Sequence, residues 1–287
     1  MSSSGLGSRM LMGGSAHQHQ DSHVRRTSSL HKALGFAKYS VFILYTYHSA
    51  SIMPPFTIQQ AVPADLDEMV EVWVMAINSD PFWRTMMGSM SKEQEFKFVK
   101  ENIHHRVDIG VDIGVMQPWK IVDEEKGIAA WTGLSVPKTV TEEEEKLIAP
   151  FWDLPPEGNS RARDFMKFQI GTLSTKHGYD KTKHFHRHGS MCRPEYQRQG
   201  LMRRLTAHVN AIADDHGAAT YVSGRPGASG MFLKEGFVVN EWVDLELGEL
   251  DEKFAGMGEL KNGKTRFRSL KREPGAKATP EKILIEE

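Results

Sequence analysis

The sequence has one cysteine, Cys192, in 287 residues. A single thiol excludes an internal disulfide and fits a reducing compartment. Long apolar runs are missing as well. The best candidate, Val41-Phe42-Ile43-Leu44-Tyr45-Thr46-Tyr47, falls far short of the roughly 20 residues that a membrane span needs. Charge of one sign is not in excess: the formal net charge is −1, so no global field favours nucleic acid or an anionic membrane. What remains is ordinary for a soluble globular chain, with 39% hydrophobic and 25% charged residues. This length holds one large or two small domains.

Residues 1–53 stand apart. They are rich in Ser, Gly and His and carry Arg9, Arg25, Arg26, Lys32 and Lys38 against the single acid Asp21. A basic, acid-poor segment fits a mitochondrial presequence, a tail outside the fold, or residues upstream of a natural start at Met53. No amphipathic helical period is evident, which favours the tail and a cytoplasmic protein; the presequence would make it mitochondrial. Each reading leaves 54–272 as the folded domain and 273–287 as a polar tail.

The folded part opens with an alternating strand, Phe56 to Ala61. Pro63-Ala64-Asp65 then predicts a helix start with Asp65 as N-cap and Glu68 three residues on. Leu66, Met69, Val70, Trp73 and Ile77 form its apolar stripe. A second helical stretch follows Asp80-Pro81 and carries Phe82, Trp83, Met86, Met87, Phe96, Phe98 and Val99, as core or as the lining of a pocket. Trp119–Asp123 and Gly127–Gly133 read as a hairpin. Residues 138–183 read as a polar insertion with an acidic run at Glu142–Glu145 and a helix over Ser160–Ser174. Its aromatics Phe151 and Trp152 are candidates to reach the site.

The richest stretch is His184 to Ala211. Pro194 cannot donate to a sheet ladder, so a strand through Met191 and Cys192 ends there. Leu201, Leu205, Val209 and Ile212 make one stripe of a helix. Between them Gln197-Arg198-Gln199-Gly200-Leu201-Met202 forms a turn whose unpaired N–H groups and helix dipole suit a pyrophosphate. Gly200 lets the phosphate approach without a side chain in the way. This turn carries neither the Gly-x-Gly-x-x-Gly of a dinucleotide fold nor the Gly-Lys-Ser/Thr of a P-loop. Further on, Ala219–Ser223 reads as a strand, Ala228–Glu235 as a short helix stopped by Gly236, and Phe237–Leu247 with Thr265–Leu270 as an antiparallel pair.

The turn resembles motif A of the GNAT superfamily of acyl-CoA-dependent N-acyltransferases, Gln/Arg-x-x-Gly-x-Gly/Ala after a strand. Gln197 and Gly200 match; Met202 departs, since the family has Gly or Ala there. Met231-Phe232-Leu233-Lys234-Glu235-Gly236-Phe237 resembles motif B, a helix ending in Tyr-x-x-x-Gly-Phe, about 36 residues beyond Gly200. The resemblance implies the GNAT fold, an α/β (α+β) architecture with a mixed, mostly antiparallel sheet flanked by helices on both faces. It also implies acetyl-CoA as co-substrate and direct acetyl transfer to an amine, with a small-molecule acceptor and a monomer or homodimer expected. By the same resemblance Met191, Cys192, Gln197, Arg198, Gln199, Gly200, Leu201, Met202 and Phe232 are the expected cofactor-binding positions. Arg193, Arg198 and Arg203 are candidates to meet phosphates.

Catalytic candidates lie on the strand before the turn. His184, His186 and His188 alternate, so a strand puts all three imidazoles on one face, and imidazole suits base work near neutral pH. His186 and His188 precede Gly200 by 14 and 12 residues. They thus match the His-x-His of the arylalkylamine N-acetyltransferases, which takes the amine proton through water. The alternatives are a structural role, a Zn²⁺ site completed by His177 or His184, or Cys192 as acyl-accepting nucleophile; no metal is expected. The family's Tyr, which protonates the departing thiolate, falls on Phe232, which has no proton to give. A catalytically degenerate acyl-CoA-binding protein is the second reading.

Overall fold

The structure, a computed structural model, describes residues 56–149 and 153–278. The readings made of residues 1–53, of Phe151 and Trp152, and of the end of the polar tail lie outside the described residues. Among the described residues seven strands form one sheet: β1 (Phe56–Gln60), β2 (Met116–Asp123), β3 (Gly127–Ser135), β4 (Phe185–Cys192), β5 (Thr220–Gly224), β6 (Val238–Leu245) and β7 (Thr265–Arg272). Their order is β1-β2-β3-β4-β5-β7-β6. Every pairing is antiparallel except β4 with β5. This is the expected mixed, mostly antiparallel sheet.

Alternation along β3 builds a core on each face. Trp131 faces one side and joins Met69, Val70 and Val72 of α1 (Leu66–Ile77). Ala130 faces the other and joins Leu201 and Leu205 of the long helix that follows Gly200. Each of these α1 side chains is at most 1% exposed, a burial that stabilises by about 1.5–3 kcal/mol apiece.

The start of α1 differs from the expected cap. Pro63–Asp65 form a 3₁₀ turn in front of it. The Asp65 carboxylate accepts from the Val62 N–H at 2.8 Å and from Lys120 Nζ at 2.7 Å. Pro63 begins the turn three residues early, so Asp65 caps from inside it. Glu68 looks across instead, accepting from the Ile128 N–H at 2.7 Å.

The second helical stretch is two helices, α2 (Pro81–Met87) and α3 (Lys92–Ile103). Gly88 at φ 61° ends the first, and Ser91 with Gln94 forms a capping box that starts the second. Phe82, Trp83, Phe98 and Val99 are core. A π-turn, His104–Asp108, carries Arg106 and leads into α4 (Ile109–Ile113).

The insertion holds α5 (Glu142–Ile148), α6 (Ser160–Asp164) and α7 (Leu173–Lys176). The acidic helix α5 buries nothing, as a solvated face should. The single helix expected over Ser160–Ser174 is broken by a π-turn, Phe165–Ile170. Ala162 and Ile170 pack into the α1 core, so this half of the insertion belongs to the fold. On the opposite face lie α8 (Leu201–Asp215) and α9 (Pro226–Lys234). No helix among the described residues is long and apolar enough to cross a membrane.

Candidate functional site

Two neighbouring strands part at the centre of the sheet. β4 and β5 pair only from Phe185 to Arg187, against Thr220 to Val222. β4 then continues to Cys192 while held by β3 alone. Within that free stretch Trp131 pairs with Met191 and Gly133 with His188, so Thr132 opposes both Gly189 and Ser190. This is a β-bulge, with Gly189 at φ 65°. A bulge shifts the alternation by one. His186, His188 and Met191 therefore face the α1 side, and Arg187, Ser190 and Cys192 face α8. Met191 accordingly packs on the α1 core, and Cys192 on the cluster with Tyr196, Leu201 and Leu205.

The turn after β4 is anchored at both ends. Tyr196 is buried and its hydroxyl donates to Asp123 Oδ2 at 2.7 Å. Gln197 Nε2 donates to the Cys192 carbonyl at 3.2 Å, tying the turn to the strand end. Between them and α8 the chain is exposed and left-handed: Arg198 at φ 61° is the sole non-glycine with positive φ among the described residues, and Gly200 follows at 82°. A Cβ on Gly200 would meet nothing within 4 Å. α8 has no side-chain cap among the described residues, which leaves its first N–H groups facing outward over Gly200. Met202 packs against the cluster around Phe56 and Ile121, so the residue that departs from the motif fills core.

The arginines divide. Arg193, one of the three candidates to meet phosphate, has its Nε donating to the Ile128 carbonyl at 2.8 Å and its Nη2 paired with Glu68 at 3.1 Å. Glu68 and β3 hold this side chain back along the sheet. Arg203 pairs with Glu235 at 2.7 Å. Arg198 stays on the exposed turn.

The two strand histidines come together. The His186 and His188 ring centroids are 4.6 Å apart. His186 Nε2 lies 3.3 Å from Ser174 Oγ, and its ring packs edge-on against Tyr179. Arg106 Nη1 lies 3.5 Å from His188 Nδ1. Burial first, then the Arg106 charge, lowers the pKa of His186 to about 4. Burial, His186 and Arg106 hold His188 well below the usual 6.5. Both are neutral at neutral pH and can accept a proton. Beside His188 a cavity of about 20 Å³, room for one water, is lined by Trp73, Asn102, Arg106, Met116 and Trp131.

His184 does not join them. It precedes β4, and its Nδ1 accepts from the Asp180 N–H at 3.1 Å. His177 pairs with Glu241 at 2.7 Å. Among the described residues no group of three or more His, Cys, Asp or Glu could hold a metal ion. Cys192 is buried, and burial followed by Glu195 pushes its thiol up to about 11, so it stays protonated at neutral pH. Phe232 is 1% exposed, packed on Phe237 and Val222. Arg106, Ser174, Tyr179 and Arg187 gave no signal in the sequence. The first three come from the π-turn and the insertion, and Arg187 reads as the polar position between two histidines.

One sequence pattern is excluded by its setting. Gly258 to Thr265 spells Gly-x-x-x-x-Gly-Lys-Thr, but it runs into the strand β7 and not into a helix. The Gly258 N–H donates to the Gly263 carbonyl at 2.8 Å and Thr265 Oγ1 to Glu259 at 2.7 Å. Its polar groups close a turn and cradle no phosphate.

No protein-family model matches the chain, and no curated protein matches it. Solved structures do. Against arylalkylamine N-acetyltransferase 2 from Aedes aegypti the TM-score is 0.53 at 13% identity, over 77% of this chain and 100% of that one. The histone acetyltransferase HPA2 and related acetyltransferase from Corynebacterium glutamicum gives 0.48 at 15%, over 78% and 99%. The acetyltransferase yncA from Salmonella typhimurium, solved with its cofactor acetyl-CoA, gives 0.42 at 11%, over 78% and 97%. The Aedes likeness speaks to fold. With the strand order and the parted β4 and β5, it shows that this chain has the fold of the GNAT N-acetyltransferases.

Proposed function

We propose that the chain is an acetyl-CoA-dependent N-acetyltransferase acting on a small primary amine. The observation that carries this reading is the parting of β4 from β5 in front of the uncapped start of α8, behind Gly200. The pyrophosphate of the co-substrate binds the N–H groups of Gln199 to Met202, where the helix dipole adds positive charge. The pantetheine arm lies along the open edge of β4, at Met191 and Cys192. Polar main-chain atoms on that edge offer the hydrogen bonds that a missing strand would have made.

The acceptor approaches from the α1 side, and the cavity beside His188 holds a water between the amine and the imidazoles. His186 and His188 take the amine proton, directly or through a water. The amine then attacks the thioester carbon, and coenzyme A leaves. Its thiol has a pKa of about 8.5, so it is a fair leaving group even where Phe232 supplies no proton. The Aedes structure is named for arylalkylamines, and the aromatic lining by Trp73 and Trp131 suits such an acceptor, although fold alone does not set it.

The test is thiol release when the full chain is incubated with acetyl-CoA and a panel of amines that includes arylalkylamines. Amine-dependent release, with the acetylated amine identified by mass, is expected. Binding of acetyl-CoA without amine-dependent release across the panel would contradict the reading and favour a non-catalytic binder.

A further inference from the structure

Arg187 is the last residue of β4 that pairs with β5, opposite Val222, and so sits where the two strands part. Its side chain is 2% exposed. Nη1 donates to Thr206 Oγ1 on α8 at 2.8 Å; Nη2 donates to Thr132 Oγ1 at 3.1 Å and Ser190 Oγ at 3.2 Å. The guanidinium also lies over the Phe232 ring, with Cζ 5.0 Å from the centroid. Every one of these partners is neutral. Nε is buried and has no hydrogen-bond partner, and no described carboxylate forms an ion pair with the guanidinium.

An ion held this way is poorly compensated, because burial removes water and three hydroxyls and a ring replace no counter-charge. Burial accordingly pulls its pKa down to about 9. The surrounding elements bring no anion. His186 and His188 face the other side of β4, the Cys192 thiol is protonated, and Arg268 of β7 donates to Ser229 of α9. An arginine that stays charged here is arranged for a negative group that arrives in the gap between β4 and β5.

We infer that Arg187 is the counter-ion of the departing coenzyme A thiolate. The inference rests on the acetyltransferase reading. The amine lone pair forms the C–N bond while the carbonyl π pair moves to oxygen. That pair returns, and the C–S bonding pair leaves with sulfur. The amine proton goes to His186 or His188. Sulfur departs as thiolate, paired with the guanidinium, and takes a proton from water on release; Arg187 transfers none. The phenyl ring of Phe232 then has a reason: it offers its face to the cation, and the cation does the work that a hydroxyl at position 232 would otherwise do.

The experiment compares calorimetric affinities for coenzyme A and for desulfo-coenzyme A, which lacks the sulfur, from about pH 6.5 to 8.5, up to the ordinary thiol pKa and short of the range where Arg187 loses its own proton. The full chain, Arg187→Met and Arg187→Lys are measured. The natural protein is expected to favour coenzyme A increasingly as pH rises, by about tenfold at the upper end, a difference of 1.4 kcal/mol. Arg187→Met should lose that preference yet keep its affinity for the desulfo compound, and Arg187→Lys should keep part of it. For acetyl transfer, Arg187→Met should lower kcat by about tenfold or more with KM little changed. Equal affinity of the natural protein for both compounds at every pH would overturn the inference, whether or not the variants fold. Failure of a folded natural protein to bind either compound would overturn the acetyltransferase reading itself, and this inference with it.

Discussion

The imidazole rings of His186 and His188 lie 4.6 Å apart and tilted by 35° on the α1 face of β4. Neither can take a proton without facing the other and Arg106, so both stay neutral far below the usual range. The rate of acetyl transfer at saturating acetyl-CoA should therefore be free of a histidine rise between about pH 6 and 8, since a base must be neutral to act and these already are. The rise should lie nearer pH 4. Arg106→Gln removes a positive charge and should move it up toward the ordinary value. Steady-state rates and histidine NMR titrations read this directly. A rise centred near pH 6.5 in the natural protein would contradict it.

Stability should carry the same signature. Below about pH 6.5 the unfolded chain protonates these histidines, while native His186 stays neutral down to about pH 4. The unfolded state then binds more protons, so stability falls as pH drops through that window. Carboxylates titrate there too, so the comparison is with the variant carrying both His186→Gln and His188→Gln. Its stability to denaturant should fall less between pH 7 and 5, by a margin of order 1 kcal/mol after allowing for partial solvent screening. Parallel curves would contradict the burial of neutral imidazoles.

Much of this was legible in the sequence, and for physical reasons. Pro194 and Gly200 punctuate the chain through backbone chemistry alone, so the strand, turn and helix fall where they announce them. The paired histidines follow from strand period 2. Other features had no local trace. The bulge at Gly189, which puts Met191 and not Cys192 on the face of His186 and His188, is a property of pairing with β3. The π-turns that bring Arg106 and the 165–170 segment inward interrupt helices whose periodicity runs through them. Arg187 reads as a solvated position, because pattern cannot say which faces of a sheet are both covered.

Phe232→Tyr tests the position where the sequence departs from the expected chemistry. The ring is 1% exposed, and a Cβ built on Gly224 would come within 3.8 Å of it. An added hydroxyl therefore enters a packed place, and without a partner should cost about 1–3 kcal/mol of stability. With Arg187 present it should change kcat by less than about tenfold. In the Arg187→Met background the same hydroxyl should recover activity, because proton donation can replace the lost charge. No recovery in a folded double variant would separate Phe232 from the leaving group.

Paired histidines near one proton path should also be partly redundant. His186→Gln and His188→Gln should each slow acetylation modestly, and the double variant by about 10²–10⁴. A double variant with the natural rate would remove both from the proton path.

Calorimetry with Gly200→Asp and Gly200→Asn decides whether acetyl-CoA binds across Gly200 at the start of α8. Gly200 sits at φ 82° with open space around it. Asp and Asn tolerate that conformation better than other side chains, so both variants should fold with comparable strain. Asp adds a negative charge where the pyrophosphate approaches, and Asn adds only bulk. Gly200→Asp should bind acetyl-CoA at least about tenfold more weakly than the natural protein, about 1.4 kcal/mol or more, with Gly200→Asn in between. Unchanged affinity in a folded Gly200→Asp variant would contradict it.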